Sequence, residues 1–238
     1  MDLVDFYDNY WKEKGDRFDH ARLDLLANYV GPGERVLALD CGPGVLAQKL
    51  QARGATVVGT DMSHTAVEMA RAKGVKAYQV DLDVAPLPFP DASFDTVVSD
   101  SGLEHRYFHE KALDESVRVL RPGGKYVLLL PNLGHWRCRW WLLRGRFPYV
   151  RNAPTDPTHL RFFTLYEARK LLAERGVRTV KTDGSASLWV WGLYLSYFQW
   201  PGIRQVYTWL ARHWPSLFAR DFIIIGRKEY EPNPMLSR

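Results

Sequence analysis

The sequence predicts an α/β fold built on a mostly parallel, doubly wound sheet, and three observations carry that prediction. Apolar runs of strand length alternate with segments of helical periodicity between residues 36 and 130. One such strand, Val36-Leu37-Ala38-Leu39, runs straight into Asp40-Cys41-Gly42-Pro43-Gly44 and then into a helical pattern, Val45 to Leu50. Glycines at a strand-to-helix turn let the backbone come close to a ligand, with the helix N-terminus facing it. A second run, Ala55 to Thr60, ends in Asp61, and an acid at the end of the neighbouring strand is placed to accept hydrogen bonds from a ribose. Together, the glycine turn and the acid imply a nucleoside-containing cofactor.

The remaining elements follow in order. Phe6 to Trp11 is aromatic and precedes the core, and His20 to Tyr29 puts Leu23, Leu25, Leu26 and Tyr29 at helical spacing before Gly31-Pro32-Gly33. These helices are expected to cap an edge of the sheet, or to fold Tyr7, Tyr10 or Trp11 over the cofactor as a lid. After Asp61, Ser63 is the expected N-cap of a helix over Thr65 to Ala72, closed by Lys73-Gly74. Val75 to Val80 is a third strand ending in Asp81-Leu82-Asp83, and Phe94 to Ser99 is a fourth. A single helix is expected from Leu103 to Leu120, then a turn at Arg121-Pro122-Gly123-Gly124 and a fifth strand from Lys125 to Leu130. Arg137 to Arg144 reads as helical, and Thr164 caps a helix from Leu165 to Arg175 that Gly176 ends. The aromatic stretch from Leu188 to Trp200 is too short to span a bilayer. Val206 to Trp214 is amphipathic, with Val206, Trp209, Leu210 and His213 near one face and Pro215 at its end.

At 238 residues and 46% hydrophobic content the chain suits one α/β domain with a modest insertion, or a domain and a half. It has no apolar run of about eighteen residues and no charged-then-apolar opening, so a cytoplasmic location is expected. Cys41 and Cys138 supply neither a disulfide framework nor a metal quartet, and no metal site is expected. The net charge of +5 is unevenly spread: Ser116 to Thr155 contains no acid but holds Arg118, Arg121, Lys125, Arg137, Arg139, Arg144, Arg146 and Arg151. Eight of the nine tryptophans follow residue 135, so the basic and aromatic biases overlap.

The ordered series VLALDCGPG, VVGTD, DLDVAPLPFPDASFDTVVSDSGLEH and LRPGGKYVLLLPN resembles the class I S-adenosylmethionine-dependent methyltransferases over about Arg35 to Asn132. Val177 to Lys181 and Phe222 to Lys228 resemble the last two strands of that Rossmann-like fold, its antiparallel pair. The resemblance implies a seven-stranded, mostly parallel sheet with an antiparallel last strand, and S-adenosyl-L-methionine as cofactor. It divides the chain into a helical cap over residues 1–33, a cofactor-binding core over 34–132, a substrate-side region over 133–228 and a disordered tail over 229–238. It also implies roles. Gly42 and Gly44 approach the methionine part of the cofactor, and the Ser99 carbonyl takes its ammonium. Asp61 takes the ribose hydroxyls, and Met62 packs beside the adenine. Asp81 and the Leu82 amide bond the adenine edge. The family usually reads Val-Leu-Asp-Leu-Gly-Cys-Gly-x-Gly, whereas here Ala38 stands at the acid and Asp40 at the first glycine. Asp40 is the residue expected to take over from the missing acid.

Beyond Pro131 the motifs GRFPY and DPTHLRFFT resemble methyltransferases of cell-envelope, glycan and lipid biosynthesis, and PNLGHWRCRW is similar to the methionine-biosynthesis protein W group. Tyr10, Trp11, Arg146, Asp156 and Arg161 are expected on the acceptor side. Methyl transfer is an in-line displacement, so positioning supplies much of the rate, and an oxygen or nitrogen acceptor that carries a proton also needs a base. His105, just after the fourth strand, and His159, in Asp156-x-x-His159-x-Arg161, are the candidates. The alternative is that each caps a helix or satisfies a loop carbonyl, and His135 beside Trp136 reads as structural.

The arginine-rich segment reads as a solvated face, as a site for an anionic small or lipid-linked acceptor, or as a peripheral contact with an anionic membrane. No nucleic-acid-binding module is recognisable. Two rival functions remain. Ala38 and Asp40 suit a non-catalytic partner module on the same fold. The spacing Gly42-x-Gly44-x-x-Ala47 with Asp61 also fits an NAD-dependent oxidoreductase, although Asp40 would repel a pyrophosphate there.

Overall fold

The structure, a computed structural model, describes residues 3–15, 18–186 and 201–229. The aromatic stretch from Leu188 to Trp200 and the expected tail beyond Glu229 lie outside the described residues. Seven strands among those described form one sheet: β1 Arg35–Leu39, β2 Thr56–Asp61, β3 Lys76–Gln79, β4 Phe94–Asp100, β5 Leu120–Pro131, β6 Val177–Ser185 and β7 Asp221–Lys228. Their order is β3-β2-β1-β4-β5-β7-β6. The pairs from β3 across to β5 are parallel, and β7 runs antiparallel to both β5 and β6. This is the sheet that the sequence predicts.

Alternate residues of the central strands serve two separate cores. Leu37, Leu39, Val97 and Leu128 pack on one face, and Val36, Ala38, Val98 and Val127 on the other. Strands buried on both faces read as continuous apolar runs, which is why these strands are easy to find in the sequence. β1 and β4 are neighbours although β2 and β3 lie between them in the chain. Strand order therefore reverses at β1, and the crevice beyond the carboxyl ends of the strands at such a reversal is where this architecture binds ligands.

The described helices are α1 Leu3–Lys14, α2 His20–Ala27, α3 Val45–Ala52, α4 His64–Ala72, α5 His109–Val119, α6 Trp136–Leu143, α7 Leu165–Ala173, α8 Pro201–His213 and α9 Pro215–Phe218. Ser63 caps α4, its hydroxyl accepting from the Ala66 N–H. Asp8 of α1 joins that cap, accepting from Ser63 Oγ at 2.5 Å and from the Thr65 N–H at 3.0 Å. This ties α1 to the core next to Asp61.

Three expectations are corrected. The single helix over Leu103 to Leu120 is broken: Leu103–His105 is one 3-10 turn, and α5 starts at His109. The break has two causes. Arg106 turns back to pair with Asp40, and the N–H groups of Tyr107 and Phe108 donate to the Asp83 carboxylate at 3.1 Å each. The residues expected as a turn, Arg121 to Gly124, lie inside β5, because Leu120 pairs with Phe94 and a bulge absorbs the irregular residues before Lys125 pairs with Thr96. In α8 the packed side carries Ala211 and Tyr207, while Val206 and Trp209 are exposed. Tyr207 is held by His135, whose Nε2 lies 2.8 Å from the tyrosine hydroxyl.

Candidate active site

A cavity of about 310 Å³ opens at the carboxyl ends of β1, β2 and β4, within the size range of small-molecule sites. α1 roofs it with Phe6, Tyr7, Tyr10 and Trp11. The glycine turn after β1 and Asp61-Met62 after β2 line one end, and Glu104, His105, Asp156, His159 and Asp221 line the other.

At the first end Asp61 is 5% exposed, and its oxygens accept from the Gly42 N–H at 2.8 Å and the Ser63 N–H at 2.9 Å. The acid thereby joins the glycine turn to the start of α4. Burial, and then the neighbouring Asp40 charge, push its pKa up to about 7. Asp40 itself has φ 49°, a left-handed conformation that aspartate tolerates better than most residues. Its carboxylate occupies the space beside Gly102, where any Cβ would collide with it. There it forms a two-point ion pair with Arg106, which is 4% exposed. Arg106 also lies 3.9 Å from Asp81. The charge that departs from the family pattern therefore has a dedicated partner. Gly42, φ 51°, meets the Trp11 ring so closely that a Cβ there would come within 2.8 Å of it. Trp11 in turn stacks on Phe18 and edges onto Tyr10. Tyr7, Tyr10 and Trp11 thus all lie against the cavity.

The second end is built differently. His105 and His159 stand edge to face with centroids 5.0 Å apart, and Tyr7 lies edge-on to His105 at 6.0 Å. Nδ1 of His105 is 3.1 Å from the Thr158 carbonyl, and Nδ1 of His159 is 3.1 Å from the Pro154 carbonyl. Burial, then His159, lowers the His105 pKa to about 4, and burial lowers that of His159 as well, so both rings are neutral near pH 7. Glu104 is 1% exposed with neither carboxylate oxygen hydrogen-bonded among the described residues, and burial raises its pKa well above the usual range. Glu104, His105 and His159 offer ligand atoms within 4.8 Å of one another and could hold a metal ion, a grouping that the sequence reading does not anticipate. Arg22 donates to Asp100 at 3.3 Å and to Ser101 at 3.2 Å at the edge of this end.

The structure thus brings Asp40, Gly42, Asp61, Met62, Tyr10, Trp11, His105, Asp156 and His159 to one cavity. Others stand apart from it. Gly44 faces Ala70 and Val75 of the α4 region. Leu82 and Ser99 are buried and do not line the cavity, and Asp81 accepts from the Asp83 N–H. Arg146 is exposed on a loop, and Arg161 donates to the Tyr107 carbonyl at 2.7 Å, so neither arginine lines the cavity. Asp156 lines it, but its oxygens are taken by Thr158 and the Asn152 N–H of its own loop. Sequence reasoning missed Arg22, Asp100, Glu104, Arg106 and Asp221. The one available signal was Glu104, directly before a candidate histidine.

The basic segment does not form one patch. Arg118 binds Glu115 and Asp91, Arg121 binds Asp95, and Lys125 binds Glu34. Arg144 lies over the Trp140 ring at 4.1 Å. Among the described residues, no helix is long and apolar enough to cross a membrane.

Comparison with known proteins agrees with this fold. The chain is 32% identical over 181 residues to the demethylmenaquinone methyltransferase of Clavibacter sepedonicus, covering 75% of this chain and 64% of that protein. It is 41% identical over 102 residues to the enzyme of that name from Thermus thermophilus, covering 40% and 46%. The chain therefore spans less than two thirds of the length of either relative. An S-adenosylmethionine-dependent methyltransferase structure from Archaeoglobus fulgidus superposes with TM-score 0.64 at 21% identity, over 95% of this chain and 100% of that one. A chain of the Haloferax volcanii complex formed with the Trm112 methyltransferase activator superposes with TM-score 0.67 at 21% identity, over 97% and 99%. The family model described as methionine biosynthesis protein MetW matches residues 17–188. With most of its length matched and the seven-stranded order in place, the chain belongs to the methionine biosynthesis protein MetW family and has the class I S-adenosylmethionine-dependent methyltransferase fold.

Proposed function

We propose that this protein transfers a methyl group from S-adenosyl-L-methionine to an oxygen or nitrogen of a small or lipid- or glycan-linked acceptor. The observation that carries this reading is the single roofed cavity with Asp61 and Gly42 at one end and His105 and His159 at the other. The donor set suits the cofactor. The Gly42 N–H already donates to the Asp61 carboxylate, so the amide that would meet the pyrophosphate of NAD is taken, and the turn suits a cofactor without phosphate.

In this reading residues 34–132 hold the cofactor, residues 133–228 build the acceptor side, and residues 1–33 close over both. Asp61 accepts from the ribose hydroxyls and Met62 packs beside the adenine, both from the cavity wall. Gly42 serves the methionine part. When bound, S-adenosylmethionine supplies an electrophilic methyl group on sulfur. The Nε2 lone pairs of His105 and His159 hold the acceptor by its proton, and Tyr7, Tyr10 and Trp11 exclude water from the displacement. Arg146 and Arg161 are left to the outer rim of the acceptor side. The exposed Trp140, Leu142 and Leu143 next to Arg144 and Arg146 suit peripheral contact with an anionic membrane from the cytoplasmic side.

Calorimetric titration with S-adenosylmethionine and S-adenosylhomocysteine tests the first half of the proposal. Micromolar binding is expected, and no heat at millimolar ligand would end it. Transfer of radiolabelled methyl to a fractionated metabolite and lipid pool tests the second half.

A further inference from the structure

We infer that Glu104, His105 and His159 form a binding site for a divalent first-row transition-metal cation at the acceptor end of the cavity. One ligand atom from each lies within 4.8 Å of the others, close enough for small side-chain adjustments to bring all three to a common cation at about 2.0–2.2 Å.

Both rings are set in the form that ligation needs. Each Nδ1 faces a backbone carbonyl at 3.1 Å, and a carbonyl only accepts, so each Nδ1 carries the hydrogen and each Nε2 keeps its lone pair. Metal-binding histidines commonly donate their second N–H in this way, which orients the ring and raises its basicity as a ligand. Glu104 is the independent observation. Its carboxylate is 1% exposed, and both oxygens lack a hydrogen-bond partner among the described residues. The charged form of this group is costly to bury unpartnered, and a cation that takes the place of its proton offsets that cost.

The backbone already holds the parts together. The Glu104 carbonyl accepts from the Leu160 N–H at 2.7 Å and from the Arg161 N–H at 3.0 Å. The segment that carries His159 is thereby pinned against the turn that carries Glu104 and His105. Two imidazoles and one carboxylate, with the remaining positions open to the cavity, suit zinc or a ferrous-type ion better than calcium or magnesium, which prefer all-oxygen shells.

The role of the cation, though not the site, rests on the proposed methyl transfer. A cation here binds an acceptor hydroxyl in place of direct imidazole contact and lowers its pKa. That selects acceptors with at least one hydroxyl group.

Cobalt(II) is the probe, because its visible absorption reports its ligands. The full chain, stripped with a chelator and dialysed, is titrated with cobalt chloride beside the variants Glu104→Gln and His159→Ala, and S-adenosylhomocysteine binding is measured on each. The expected result is one cobalt per chain with visible bands, displaced by zinc, and at least about tenfold weaker in both variants. Cofactor-product affinity should stay within about twofold of wild type in both. The loaded wild type should also show two exchangeable, paramagnetically shifted imidazole N–H resonances, a readout independent of whether a variant folds. No stoichiometric uptake at millimolar cobalt, uptake unchanged in both variants, or no shifted imidazole signals overturns the site. Cobalt uptake without any S-adenosylhomocysteine binding leaves the metal site standing and removes the methyl-transfer reading.

Discussion

The two ends of the cavity are built by opposite means. At the glycine-turn end the acids are answered within the protein: Asp61 takes two backbone amides, and Asp40 takes Arg106. At the histidine end Asp100, Glu104 and Asp221 each keep at least one buried oxygen without a hydrogen bond among the described residues. Buried polar atoms are nearly always satisfied. An end whose carboxylates are all hydrogen-bonded is preorganised, whereas Glu104 at the other end, with neither oxygen hydrogen-bonded among the described residues, is where the inferred cation would bind. The difference teaches which half of the cavity has its carboxylates answered by the protein alone and which half holds a buried carboxylate that is not.

The largest effect should come from breaking the answered end. Arg106→Leu leaves the partly buried Asp40 charge without its partner, and should cost about 3 kcal/mol in chemical denaturation. Adding Asp40→Gly should restore at least half of that loss. If the single variant unfolds like wild type, the ion pair does not hold this end, and the contrast between the ends fails.

Next in size is Asp61→Ala. Losing charge-assisted bonds worth about 1.5–3 kcal/mol should weaken S-adenosylhomocysteine by roughly 10- to 150-fold in calorimetry. An affinity unchanged within error would remove Asp61 from the site.

The pH dependence is of similar or smaller size. Ribose hydroxyls donate to the carboxylate form, so affinity should rise as pH passes upward through about 7. The limit is about tenfold per pH unit below that value, with proton release on binding. Stability moves the other way. The folded pKa of Asp61 is raised, so the unfolded chain gives up this proton first, and the contribution of Asp61 to stability falls as pH climbs from about 4 to about 7. Calorimetry in buffers of different ionisation enthalpy checks the proton count. A flat profile between pH 5.5 and 8 would contradict the environment assigned to Asp61.

Trp11→Ala removes the ring that covers Gly42 and should weaken cofactor-product binding by about tenfold, the equivalent of about 1.4 kcal/mol. The loss should appear mainly as faster dissociation in stopped-flow fluorescence. Smallest of all, Arg146→Ala should leave stability within about 0.5 kcal/mol and cofactor affinity unchanged, because Arg146 is exposed and away from the cavity. A clear loss of affinity there would extend the site beyond the cavity described.

Legibility in the sequence follows the same divide. The strands β1, β2 and β4, the Ser63 cap and Asp61 are visible because each depends on residues a few positions apart. Arg106 was hidden inside what reads as an unbroken helix, since the pairing that breaks that helix reaches back 66 positions to Asp40. The histidines were visible as residue types, but not the geometry that faces them toward each other. Arg146 and Arg161 looked functional by motif, yet one points to solvent and the other ties a loop to Tyr107.

By itself, then, the sequence determined the alternation of strands and helices, the glycine turn and its acid. These are local patterns of hydrophobicity and backbone freedom, and they act over one or two turns of chain. Only the tertiary structure decided that Asp40 is neutralised, that Trp11 closes on Gly42, and that Glu104, His105 and His159 converge with an unpartnered carboxylate among them. Burial and charge pairing depend on which distant segments share a space, and no local pattern encodes that.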